Sequence, residues 1–171
     1  QDVAKSEDDT VGVATLLYRS DLQCWGTREG GGWRYGGMLR DDGMVFDDGT
    51  TSRRGPTHYG MTTTTLNAVN VMQHLEYLLQ VDWPELDVFA TSVTEQWAAA
   101  ALSGPAARKV LAGLMSIDVS NTAFPFLAVG DCELVAGALR IPARLLRMSY
   151  SCEPGYEIPV PVPPGPAAWE A

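Results

Sequence analysis

Apolar residues recur along this chain with two periods, and the switch between them lays out most of its elements. Val11 to Tyr18 is β-rich and apolar, which predicts a strand that delivers Arg19 and Asp21 to its far end. Apolar positions 66, 69, 72, 75, 78 and 79 fall on one helical stripe, so a helix is predicted over Leu66–Val81, ended by Trp83-Pro84. Leu86 to Val93 reads as a strand and Thr94 to Leu102 as a short Ala-rich helix. Ser103-Gly104-Pro105 is a break, with Pro105 placed to open a further helix through Leu114. Ile117–Val119 follows as a short strand, and Asn121–Gly130 reads either as a loop exposing Phe124 and Phe126 or as leading into a buried strand over Phe126–Val129. The run from Val129 to Tyr150 then opens on a glycine turn and continues as an apolar strand.

Glycine and proline punctuate this pattern. Cys24 to Arg54 is Gly-rich, and the Asp-Asp-Gly triplets at 41–43 and 47–49 read as turns flanking Met44-Val45-Phe46. The spacing and closing Glu of a calcium-binding EF-hand loop are absent there. Four threonines, Thr62 to Thr65, precede the long helix and suit a strand end followed by an N-cap. His58, His74 and Tyr77 read as edge, flank or core residues. The expected organisation is a flexible, polar stretch over 1–10, one domain over 11–152, and a proline-dense extended tail over 153–171.

Composition narrows the class. With 171 residues, 46% of them apolar, the chain is long enough for one proper core. The formal net charge of -9 argues against a nucleic-acid backbone as the main partner, because phosphate binding rests on Lys and Arg. No apolar run reaches the length of a bilayer span, and Gln1-Asp2-Val3-Ala4-Lys5 lacks a hydrophobic signal core. Cys24 and Cys152 either join the two ends of the domain as a disulfide or remain thiols, with Cys132 the odd cysteine. Two His and no Cys-x-x-Cys leave no expected metal site.

The candidate chemistry lies in Asp131 and Glu133. Side chains alternate along a strand, so these two acids aim into one space while Cys132 points the other way. The plain alternative is a strand end with solvated acids.

Taken in order, Tyr18-Arg19-Ser20-Asp21, Thr62-Thr63-Thr64 and Asp131-Cys132-Glu133, followed by Ile141-Pro142, resemble the blocks of the ADP-ribosyltransferase toxins of the cholera, heat-labile enterotoxin and pertussis type. The resemblance implies an α+β fold of two small packed β-sheets with flanking helices around an NAD cleft. It implies NAD as substrate, with Arg19, Asp21, Thr62 and Thr63 binding it. Glu133 would stabilise the oxocarbenium charge that develops as nicotinamide leaves, and Asp131 would face the incoming nucleophile. Asp131 is one methylene shorter than the family's Glu, which leaves arginine specificity open, and with it the choice between weak transfer and plain NAD hydrolysis. On this reading the protein is secreted, its partner is a protein or small-molecule acceptor of ADP-ribose, and there is room for a companion subunit. The second reading is an inactive scaffold of the same fold that binds a protein as an effector.

Overall fold

The computed structural model of the protein describes residues 2–5, 32–54 and 57–171. Val11–Tyr18, Arg19, Asp21 and Cys24 lie outside the described residues. The chain divides into two compact units, Gln1–Thr94 and Glu95–Ala171.

The first unit holds a five-stranded antiparallel sheet. Its strands are β1 (Asp2–Lys5), β2 (Gly32–Leu39), β3 (Val45–Arg53), β4 (His58–Met61) and β5 (Val88–Thr91), in the order β2-β3-β4-β1-β5. The Asp-Asp-Gly turn at 41–43 forms, with Gly43 at φ 81° joining β2 to β3. The one at 47–49 does not: all three residues lie inside β3, opposite Met38, Gly37 and Gly36. Gly49 is there for space, because a Cβ would stand 1.9 Å from the carbonyl oxygen of Thr62. No turn conformation is involved.

The predicted helix forms over 65–82 in three pieces: a 3₁₀ turn Thr65–Asn67, α1 (Ala68–Tyr77) and a π-turn Leu78–Asp82. Its buried stripe is Ala68, Val71, Leu75 and Leu78, which closes over Met38 and Met61. Leu66 is 95% exposed and Val69 67%, so the expected stripe was one residue out of phase at its start. No threonine caps the helix with its side chain. Instead Asn67 donates from Nδ2 to the carbonyl of Phe46 at 3.0 Å, tying the helix start to β3.

The second unit holds β6 (Trp97–Ser103), β7 (Val129–Ala136), β8 (Leu139–Met148) and β9 (Gly155–Pro161), in the order β6-β9-β8-β7, with short helices α2 (Ala107–Leu111) and α3 (Gly165–Glu170). The Ala-rich segment expected as a helix is the strand β6, entered through a 3₁₀ turn at Thr94–Gln96. Alanine favours helix only weakly, and continuous pairing of Trp97–Ser103 with β9 overrides it. Ile117–Val119 is irregular, and the strand expected from Phe126 begins at Val129. Phe124 is buried, whereas Phe126 is exposed ahead of a turn where Leu127 takes φ 68°.

The proline-dense segment supplies β9, between β6 and β8. Val162 donates its amide to Gln96 at 3.0 Å, and amide direction alternates along a strand, so the even-numbered amides of β9 face β6. Pro159 and Pro161 occupy the odd positions, past the three residues, Gly155–Glu157, that pair with β8. Neither proline removes a ladder bond. One face of this sheet carries Tyr156, Ile158, Leu145, Ile141 and Leu134, packed with Leu111 of α2 into the second core.

Candidate functional site

Alternation along β9 turns Glu157 away from that core, to the opposite face of the sheet. Cross-strand pairing sets it beside Ala101 of β6 and Leu146 of β8, so its carboxylate sits half-buried in apolar company. Burial raises the Glu157 pKa above its ordinary value. Among the described residues no hydrogen bond or ion pair meets the side chain. A desolvated acid without a donor is a costly arrangement that a ligand with N–H groups would relieve.

The same face carries the two acids singled out in the sequence. Asp131 and Glu133 both lie on β7 and point the same way, Asp131 opposite Arg144 and Glu133 opposite Pro142. Arg144 donates from Nε to Asp131 Oδ1 at 3.1 Å, and its guanidinium lies 4.6 Å from the centroid of the Trp97 ring. With its side chain only 11% exposed, Arg144 is the fixed member of this stack. Glu133 accepts a bond from Arg140 at 3.0 Å, an exposed pair worth at most about 1 kcal/mol. Cys132 points to the core side, where burial, aided by the Asp131 charge, pushes its thiol up to about 11. Cys152 is exposed and has no disulfide partner among the described residues.

The first unit offers a second unmatched acid. Asp47 is 5% exposed on β3; its Oδ1 accepts the Asp48 amide at 2.8 Å, and its buried Oδ2 has no partner among the described residues. A β-bulge lies beside it: Met38 pairs with Asp47 but Leu39 with Val45, which leaves Phe46 as the extra residue. Thr62, expected to bind a dinucleotide, has its hydroxyl 2.7 Å from that of Thr50 and accepts the Thr50 amide at 3.1 Å. Thr63 donates to the Thr64 carbonyl at 3.5 Å. Thr62 and Thr63 thus lie in the first unit, and Asp131 and Glu133 in the second.

Residues 14–171 match the family model of the GCVT N-terminal domain, and the chain belongs to that family. Its curated relatives include the sarcosine oxidase subunit alpha of Rhizobium meliloti (strain 1021), 48% identical over 112 residues, which are 66% of this chain and 11% of that protein. The corresponding subunit of Corynebacterium sp. (strain U-96) is 49% identical over 121 residues, 70% of this chain and 12% of that one. An aminomethyltransferase of Listeria monocytogenes serotype 4a (strain HCC23) is 35% identical over 96 residues, 56% of this chain and 25% of the relative. The solved structure of the glycine cleavage system aminomethyltransferase T from Bartonella henselae shares the fold, with a TM-score of 0.72 at 22% identity, covering 99% of this chain and 41% of that one. The chain therefore spans a small share of the proteins it matches, 11% to 28% of the curated ones.

These findings correct the ADP-ribosyltransferase resemblance, and with it the expected fold around an NAD cleft, NAD as substrate, and the toxin or secreted effector, catalytic or inactive. The physical reason is the brevity of the three blocks. An Arg and an Asp at a strand end, threonines ahead of a helix, and two acids one residue apart on a strand arise on many sheets. The sequence reading missed Glu157 and Asp47. Glu157 carried a signal, a lone charge in the alternation Tyr156-Glu157-Ile158-Pro159-Val160, which the prolines masked.

Proposed function

We propose that this chain holds a folate within a larger protein acting on an N-methyl amine, and Glu157 is the observation that carries the reading. The sarcosine oxidase alpha subunits match it at 48–49% identity and the aminomethyltransferase of Listeria monocytogenes at 35%, which favours the amine-oxidising relatives. Sarcosine is N-methylglycine, so a one-carbon unit is what such a reaction releases.

The residues present suit a folate. Its pterin ring offers an edge of amide and amino N–H donors, and an ionised carboxylate is an acceptor only. Glu157, desolvated and without a donor of its own, matches that edge, and charge-assisted bonds formed out of water are the strong ones. Tetrahydrofolate, when bound, would supply the nucleophilic nitrogen that takes up the one-carbon unit. Arg144, held against Trp97 and Asp131, keeps a rigid flat surface on the same face of the sheet as Glu157.

Calorimetric titration of the full-length protein with tetrahydrofolate tests this reading. Glu157→Gln is expected to weaken binding about 10- to 100-fold, the equivalent of one hydrogen bond to a charged group. Equal affinity in the parent and the variant contradicts it.

A further inference from the structure

We infer that the second unit carries a further ligand site, on the α2 side of its sheet, for a small molecule with a carboxylate head, an apolar body and no amine. The inference does not depend on the folate reading. It rests on a cavity of about 510 Å³, within the roughly 300–1,000 Å³ usual for small-molecule sites. Arg108, Lys109 and Ala112 of α2 line it, with Ile117 and Val119 of the following loop and Pro154 ahead of β9. Ala107 and Leu111 hold α2 to the core face of the sheet, and alternation puts Glu157 on the other face.

The lining is tied together without a ligand. Arg108 donates from Nη1 to the Val119 carbonyl and from Nη2 to Asn121 Oδ1 at 2.7 Å, which joins α2 to the loop. Within that loop Asp118 accepts the Ser120 amide at 2.8 Å and the Ser120 hydroxyl at 3.0 Å, and the hydroxyl accepts the Ala123 amide at 3.2 Å. The Gly104 amide donates to the Pro154 carbonyl at 3.0 Å. A cavity braced in this way costs a ligand little ordering.

The same bonds set the preferred sign of the ligand. Asp118, the acid of the lining, has both carboxylate oxygens engaged by Ser120 of its own loop. Arg108 is not matched in this way. It is half-buried, its hydrogen bonds go to neutral acceptors, and among the described residues no carboxylate meets it. A partly desolvated guanidinium with neutral partners alone keeps a preference for an anion, and its remaining N–H donors fit a carboxylate. Its carbon lies 5.9 Å from the centroid of the Tyr156 ring. Tyr156 is 1% exposed, and its hydroxyl, a second donor in this corner, has no partner among the described residues. Lys109 adds another positive charge. The rest of the lining that is named here, Ala112, Ile117, Val119 and Pro154, is apolar and suits hydrocarbon. With its acid engaged, the cavity offers an ammonium group no counterpart.

Octanoate is the probe, titrated into the full-length protein by calorimetry, with octanol and octylammonium as comparisons. Octanoate is expected to bind saturably, and octanol and octylammonium each at least about tenfold more weakly. Arg108→Gln should lose about tenfold or more in octanoate affinity, with part of the loss recovered in Arg108→Lys. Arg108 also braces Val119 and Asn121, so Ala112→Phe supplies the independent check. Its ring would occupy the cavity and leave both cations in place, and octanoate binding should disappear. Tetrahydrofolate affinity should be the same in Ala112→Phe as in the parent, which separates this cavity from the site around Glu157. Absence of saturable octanoate binding, octylammonium binding as tight as octanoate, or undiminished octanoate affinity in Arg108→Gln or Ala112→Phe overturns the inference.

Discussion

Gly49→Ala is expected to disrupt the sheet of the first unit, at a cost of about 3 kcal/mol or more. The added Cβ would lie 1.9 Å from the carbonyl oxygen of Thr62 and 2.8 Å from its carbonyl carbon, both backbone atoms that no rotamer change can move. Thr62 cannot easily retreat. Its amide donates to the Thr50 carbonyl at 2.8 Å and its hydroxyl meets that of Thr50 at 2.7 Å. Gly37→Ala on the neighbouring strand is the control, since a Cβ there would make only an ordinary 4.0 Å contact with the Asp47 carbonyl oxygen. Urea unfolding of both variants, compared with the parent, should show a large drop in midpoint for position 49 and a small one for position 37. Equal drops would mean that the close approach of β3 to Thr62 does not exist.

The second large effect is a pair of opposite changes from one substitution. Glu157→Gln should weaken folate binding and at the same time raise the melting temperature of the ligand-free protein at neutral pH. The sign follows from the raised pKa, whose cause is burial. Below the ordinary carboxylate range both the folded and unfolded chains carry the proton, and burial of Glu157 costs no ionisation energy. As pH rises, the unfolded chain ionises first, so stability falls until the raised folded value is passed and then levels off. The glutamine variant does not titrate, so its advantage should be absent in acid and grow through that window. A stabilising change that removes binding marks a residue kept for its ligand. Melting curves across the acid-to-neutral range check it, and a variant less stable than the parent at neutral pH would refute the unmatched carboxylate.

In the second unit alternation made one feature legible, the facing of two acids, while the single strand expected over Val129–Tyr150 is two strands, β7 and β8, turned at Gly137. Asp131 and Glu133 read as strand neighbours facing one way, and they occupy β7 in that relation. The helix over 66–81 was legible from its period, but its phase was not, because Leu66 and Val69 look like core residues and stand in solvent. β6 was misread: the four alanines of Trp97–Ser103 favour helix, and the seven-residue pairing with β9 makes the segment a strand. Asp47-Asp48-Gly49 misled for a related reason. Its residues match a turn locally, and what places them in β3 is the pairing with β2 and the approach of Thr62, both distant in sequence. The site suffered most. A buried unmatched acid is defined by what surrounds it, and nothing in the letters around Glu157 or Asp47 records the missing donor.

Hydrogen–deuterium exchange on the full-length protein, with and without tetrahydrofolate, tests the central claim most directly because it reports where on this chain the ligand acts. Slower exchange is predicted across Gly155–Pro161 and the exposed approach at 150–154, lost in Glu157→Gln. Protection confined to other parts of the protein, with these segments unchanged on saturation, would contradict a folate site built on β9.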